Sequence, residues 1–248
     1  MAVPKSKVSK QLRNKRRTPV WKLETPGSTT CPKCGAFRLP HRMCKSCLSY
    51  NGHEFGKTEA VAEAKNVLDT TRDPQLSDIT LDGWMYRDMA RTAERTGSAF
   101  LRGYVAAQID AANLRSLIRT LRMGKNAGFL AGALLEGGET EPAALLAVAE
   151  NGGSGLAELY APTRFAAAAE AGAAALKGGT LTEFEKQCDD AVTEYLSGAQ
   201  MVPFGEAPLL AYLAARETEY TNLRIVLMGR AAGLDADTIR SRLRRGIG

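Results

Sequence analysis

Histidine is almost absent from this chain: of 248 residues only His41 and His53 are histidine, both in the first quarter. The later three quarters therefore cannot assemble a Ser/His/Asp arrangement. No pair of carboxylates stands out for acid–base work either, so the sequence gives catalysis no footing. Long apolar runs are missing too. None reaches the eighteen or so residues that a membrane span needs, and the first twenty residues lack the apolar centre of a secretory signal. Acid is scarce at the amino-terminal end: residues 1–56 hold twelve Lys and Arg against Glu24 and Glu54, a formal +10. Of 33 bases and 27 acids in all, 21 and 25 remain for residues 57–248, a net −4. A basic segment joined to a mildly acidic one suggests a nucleic-acid-binding arm attached to something of another kind. The last absence is strand-like alternation, of which no length is found from Val61 onward.

Four of the five cysteines fall in one stretch, CPKCGAFRLPHRMCKSC at 31–47. Each CxxC can turn two sulfurs toward one point, and the nine residues between the pairs let the turns face each other. The spacing predicts one structural Zn2+ held by Cys31, Cys34, Cys44 and Cys47, with no ligand position left open for water. Two disulfides, or a redox CxxC, are the alternatives; a cytosolic chain favours metal over disulfide. Gly35 follows the first pair, where a tight thiolate turn favours a residue that tolerates positive φ. With so few apolar residues around it, the knuckle would draw most of its folding free energy from the metal, about 10 to 16 kcal/mol.

Ahead of it, MAVPKSKVSKQLRNKRRTPVWKLETPG carries Lys5, Lys7, Lys10, Arg13, Lys15, Arg16, Arg17 and Lys22, with Pro4, Pro19 and Pro26 against any long helix. It cannot bury enough apolar surface to offset its ordering entropy, so it is expected to be unordered when free and to order against phosphates. Trp21 could stack on a base, and His41 and Arg42, in the loop between the thiol pairs, are expected to contact RNA rather than metal. A solvated tail or localisation signal is the alternative for the basic run.

The order A-V-P-K at 2–5, S-K at 9–10, the basic cluster ending at Arg17, W-K-L at 21–23, C-P-x-C-G, L-P-H-R-x-C-x-x-C and Y-N-G at 50–52 closely resembles ribosomal protein L-thirty-two of the bacterial large subunit. The resemblance covers residues 1–56. It implies a cytoplasmic, ribosome-associated constituent of the large subunit, contacting ribosomal RNA and large-subunit proteins, with the four thiols on zinc. Leu48 departs from that family, where glycine commonly follows the last thiol.

Gly56-Lys57-Thr58 imitates the end of a phosphate-binding loop, but Gly52 and Gly56 enclose three residues where four are required, and no strand leads in. No small-molecule substrate is expected. The remainder reads as all-helical. Thr182-x-x-Glu185 suggests a capping box ahead of an apolar stripe of Phe184, Cys188, Ala191, Val192, Tyr195 and Leu196, with Cys188 as a core thiol. FAAAAEAGAAAL at 165–176 favours a closely packed helix, Pro208 another, and Asp235 the cap of a last one. The segment also repeats. Asp110-Ala-Ala-Asn113-Leu114-Arg115 is echoed by Glu219-Tyr-Thr-Asn222-Leu223-Arg224, and Met123-Gly124 by Met228-Gly229, a second copy shorter by four residues. Structural helix pairing is the expectation for this motif, with an interface as the alternative.

The stretches D-P-Q-L-S-D-I-T-L-D at 73–82, I-D-A-A-N-L-R, L-L-E-G-G at 134–138, F-E-K-Q-C-D-D at 184–190 and P-L-L-A-Y-L-A-A-R-E-T-E-Y-T-N-L-R-I-V-L-M-G-R at 208–230 look like the central-stalk subunit (C) of V-type rotary ATP synthases. The resemblance implies a non-catalytic, all-helical piece that joins the rotor ring to the central shaft, peripheral on the cytoplasmic face of a membrane. Only the later part of such a subunit is represented, which is expected to leave apolar helix faces exposed.

The fold class expected is thus a small zinc ribbon with an extended basic arm, fused to an all-α domain. Its divisions are an arm at 1–30, a ribbon at 31–56, a linker and first helix region at 57–72, and an all-α domain at 73–248. The leading function is a ribosomal constituent carrying a helical extension. A second reading is a central-stalk subunit of a rotary ATP synthase carrying an amino-terminal fusion, and a third is that the fusion is an artefact with no cellular role.

Overall fold

A computed structural model of the chain describes residues 9–17, 27, 29–54 and 58–246. The chain separates into two compact units, Met1–Ala62 and Glu63–Gly248.

The first unit contains helix α1 (Lys10–Arg17) and two small antiparallel hairpins. In one, β1 (Thr29–Thr30) pairs with β2 (Phe37–Arg38); in the other, β3 (Ser49–Tyr50) pairs with β4 (His53–Glu54). Helix α1 departs from the expected absence of order in the arm. Its sequence KQLRNKRR has no proline or β-branched residue, and Leu, Arg, Lys and Gln propagate helix well. The second hairpin turns through Asn51 (φ 51°) and Gly52 (φ 82°), the left-handed pair whose twist matches that of the strands it joins.

In the second unit every described element is helical, as the lack of alternation predicts. Helix α2 (Thr58–Thr71) crosses the boundary between the units and leads to α3 (Pro74–Thr96). Asp73 starts α3, its carboxylate accepting from the Gln75 N–H at 2.9 Å, with Pro74 at the first helical position. Ser98 starts α4 (Ala99–Arg122) by accepting from the Leu101 N–H. Then follow α5 (Ala127–Ala133), α6 (Pro142–Glu150), α7 (Leu156–Tyr160), α8 (Ala166–Leu176), α9 (Leu181–Ser197), a 3-10 turn at Gly198–Met201, α10 (Glu206–Ala231) and α11 (Ala236–Arg242).

Helix α4 is the centre of the core. Its Ala111, Leu114, Leu117 and Ile118 pack with Ala168 and Ala169 of α8 and with Phe184, Cys188 and Val192 of α9. The predicted α9 stripe is buried, apart from Tyr195, which is half-buried and donates its hydroxyl to the Phe100 carbonyl at 2.8 Å. Cys188 is a core thiol, pushed up to about 12 by burial. The alanine-rich α8 lies so close to its neighbours that a Cβ at Gly172 would stand 3.0 Å from Ile118 and 3.3 Å from Phe184.

The structure differs from the sequence expectations at two points. Thr182 does not cap α9. The helix begins earlier, after Thr180, and Glu185 turns to the basic residues of α4, accepting from Arg115 at 2.8 Å and Arg119 at 2.7 Å. Such an ion-pair network between helices outcompetes a local cap that would satisfy a single N–H.

The repeat, secondly, has no four-residue gap. Asn113 on α4 clamps the chain 22 residues later: its side chain donates to the Leu135 carbonyl and accepts from the Leu135 N–H, both at 2.8 Å. Asn222 on α10 does the same to Arg244, again 22 residues on, at 2.9 and 2.8 Å. Between motif and clamp, Asn126 starts α5 by accepting from the Phe129 N–H, and Asp235 starts α11 by accepting from the Thr238 N–H. Positive-φ Gly124 and Gly233 follow α4 and α10, with matching backbone bonds from Lys125 to Thr120 and from Leu234 to Gly229. Every one of these pairs is separated by 109 residues, so the structural partner of Gly124 is Gly233 and not Gly229.

The copies differ in what covers them. Leu114 and Ile118 of α4 are wholly buried, whereas Leu223 and Leu227, 109 residues later on α10, are 56% and 61% exposed. With Leu209, Leu213 and Tyr220 they form the exposed apolar helix face that the second resemblance implies.

Two quoted segments of the sequence explain each other in this unit. Asp110, buried, accepts from the N–H groups of Glu139 at 2.9 Å and Thr140 at 3.1 Å, and burial pushes its carboxyl up. An added Cβ at Gly138 would collide with that carboxylate. The I-D-A-A-N-L-R helix and the L-L-E-G-G loop are thus two halves of one lock. Arg115 completes the helix side by pairing with Glu185 and with Asp189, and Arg244 meets Asp189 from the other copy at 2.6 Å. In the first copy Arg115 pairs two helices, as expected of the motif, while Asp110 and Asn113 hold loop backbone; in the second, Glu219 pairs with Arg216 on its own helix.

Candidate metal centre

The four thiols of the first unit converge. Their sulfurs all lie within 4.8 Å of one another, with Cys31 to Cys47 and Cys34 to Cys44 each 3.5 Å apart. A tetrahedral ion with metal–sulfur bonds of about 2.3 Å has sulfur–sulfur edges of about 3.8 Å, inside that range. All four cysteines are free thiols.

Two near-identical turns build the cluster, thirteen residues apart. In the first, the Cys31 N–H donates to the Ala36 carbonyl and the Gly35 N–H to the Cys31 carbonyl; in the second, Cys44 donates to Ser49 and Leu48 to Cys44. Cys31 and Cys44 are buried at the inner end of each turn, while Cys34 is exposed and Cys47 half-buried. The turns also set the acidity. Amide N–H groups of Cys34 and Lys33 pull the Cys31 thiol down to about 6, and those of Cys47 and Ser46 lower Cys44. Cys34 goes the other way: the Ala36 N–H lowers it, but the neighbouring Cys47 and Cys44 thiols push it up to about 12. Four adjacent sulfurs cannot all shed their protons without a cation, a charge that a metal ion would supply.

The turns differ at their tightest point. Gly35 has φ 70°, and its counterpart Leu48 holds φ 52°, where an L side chain costs roughly 1–2 kcal/mol. Leu48→Gly is expected to relieve about 1 kcal/mol, read as metal binding about fivefold tighter when Zn2+ is titrated against a competing chelator. An unchanged affinity would mean that packing of the half-buried Leu48 side chain offsets the backbone strain.

Of the residues expected to contact RNA, His41 and Arg42 are exposed on the loop between the turns, and Arg42 accepts a bond from Arg38 through its carbonyl. Lys10, Arg13, Lys15, Arg16 and Arg17 lie on α1, with Lys10 and Lys15 exposed; the side chains of Arg13, Arg16 and Arg17 are outside the described set. Lys5, Lys7, Trp21 and Lys22 lie outside the described residues, as do Gly56 and Lys57 of the imitation phosphate loop. Sequence reasoning missed three features. Phe37 stands 82% exposed beside Arg38, Ser49 is buried against the sulfurs, and Asn51-Gly52 was a readable hairpin signal.

Among the described residues no helix is long and apolar enough to cross a membrane. Comparison with known proteins assigns the two parts separately. The model of the Ribosomal L32p protein family matches residues 2–57, and that of the ATP synthase (C/AC39) subunit matches residues 48–242. The Large ribosomal subunit protein bL32 of Staphylococcus aureus strains JH9, Newman and N315 is 57% identical over 54 residues, which is 22% of this chain and 93% of each relative. No solved structure matches the chain. Through residues 2–57 the chain belongs to the Ribosomal L32p protein family, and through residues 48–242 to the ATP synthase (C/AC39) subunit family.

Proposed function

We propose that the protein is a structural constituent of the large ribosomal subunit that carries a helical domain and catalyses no reaction. In this reading Cys31, Cys34, Cys44 and Cys47 hold one structural Zn2+ that fixes the knuckle. Lys5, Lys7, Lys10, Arg13, Lys15, Arg16, Arg17, Trp21, Lys22, His41 and Arg42 meet ribosomal RNA. The functional divisions are an arm at 1–30, a ribbon at 31–56, a junction at 57–72 and the helical domain at 73–248. The observation that carries the reading is the convergence of all four thiols in a segment that spans nearly the whole length of its ribosomal relatives. Affinity for RNA then rests on phosphate contacts, so the full chain is expected to lose RNA affinity with salt at a log–log slope of about −0.7 to −0.9 per neutralised phosphate.

A second reading is favoured by the extent of the other family match, residues 48–242. Here the helical unit is a central-stalk component that links a rotor ring to a shaft on the cytoplasmic face of a membrane. Gradient fractionation of a native lysate, followed with an antibody against residues 180–248, separates the two. Full-length protein in the large-subunit fraction is the expected result. Full-length protein with a membrane ATPase transfers the function to the helical unit, and short separate products mean that each part acts alone.

A further inference from the structure

The two thiol turns are near copies, yet they hold their outer sulfurs differently. In the first turn Cys34 is served by the backbone N–H of Ala36, a residue with no side-chain donor. The counterpart of Ala36 is Ser49, which is 7% exposed and lies in β3. Its hydroxyl is 2.9 Å from Cys47 Sγ, in its own turn, and 3.6 Å from Cys31 Sγ, in the other. A hydroxyl has one proton to give, and a thiolate accepts where a thiol hardly does. Burial raises the cost of leaving that hydroxyl unpaired, while the β3 backbone fixes its position: the Ser49 carbonyl accepts from the Cys44 N–H at 3.0 Å.

We propose that Ser49 is a positioning residue of the four-thiol centre, donating its proton to the Cys47 sulfur while its oxygen packs against the Cys31 sulfur of the other turn. This rests on the reading of the cluster as a metal site. Donors to ligand atoms of this kind are typically worth 10- to 100-fold in metal affinity. The same position marks an asymmetry: the exposed Cys34 is met by the Ala36 N–H and the Cys44 sulfur, whereas the half-buried Cys47 is met by the Ser49 hydroxyl.

The test uses the full chain, with Co2+ as a spectroscopic probe and Zn2+ as competitor. Wild-type protein is expected to take up one Co2+ and show a sulfur-to-metal charge-transfer band. In Ser49→Ala that band shifts and Zn2+ binds at least tenfold more weakly, still with one ion per chain, while Ser49→Thr, which keeps the hydroxyl, restores both. A Ser49→Ala protein with wild-type affinity and an unshifted band overturns the role of Ser49 and leaves the metal site standing. Wild-type protein that binds neither ion overturns the site and the role of Ser49 together. If Ser49→Ala does not fold, Ser49→Thr and Ser49→Cys decide. A wild-type band in the threonine variant alone supports the hydroxyl, and wild-type bands in both variants count against it.

Discussion

Asn113→Ala is expected to lower the stability of the helical unit by about 2 to 4 kcal/mol, whereas Asn222→Ala, the same change 109 residues later, is expected to cost about 1 kcal/mol. Each asparagine makes a pair of bonds to one backbone residue, with lengths within 0.1 Å of each other. Only the surroundings differ. Asn113 has no exposed surface, so the alanine leaves a buried gap beside the Leu135 N–H and carbonyl, and at the half-buried Leu135 the loss of both bonds is only partly made good by water. Asn222 is half-buried, and water can replace it at Arg244. Urea titrations of the two variants, followed by helical circular dichroism, measure the difference. Equal losses would show that burial does not set the worth of the clamp.

Cys31→Ser is expected to abolish stoichiometric zinc binding and to unfold the knuckle, since metal binding would contribute about 10 to 16 kcal/mol to a segment with little apolar core. The helical signal of the second unit should remain, because its core residues run from Ala93 to Ala211 and include none of the thiol turns. Metal content by elemental analysis and far-ultraviolet circular dichroism of the same sample check both statements. Loss of the helical signal on adding a chelator to wild-type protein would mean that the two units fold as one.

What could be read in the sequence followed the range of the interactions concerned. The thiol pairs, the α9 stripe and the Asp235 cap are local patterns, and each carries its geometry in its spacing. The capping box at Thr182 failed because Glu185 had better partners on α4, 66 and 70 residues away in sequence, which no local pattern records. The repeat is visible in the residues, but pairing Met123 with Met228 misaligns it. The structure aligns the turns that end the helices, and those depend on Gly124 and Gly233. The arm's short helix was hidden behind its charge, since charge pattern speaks to solvation and not to backbone propensity. Ser49 carried no sequence signal apart from its place two residues after the last thiol, and only the fold brings its hydroxyl onto a sulfur of the other turn.

The uniform offset between α4 and α10 has a consequence for how the molecule breathes. Helix α4, whose central residues from Val105 to Thr120 include ten that are buried, is expected to expose its central amides only when the unit opens as a whole. Helix α10 has a row of leucines and a tyrosine already in water and can fray a turn at a time at far lower free energy. One motif, written twice, is therefore expected to keep two different times: slow amide hydrogen exchange where it is roofed, and fast exchange where it is not.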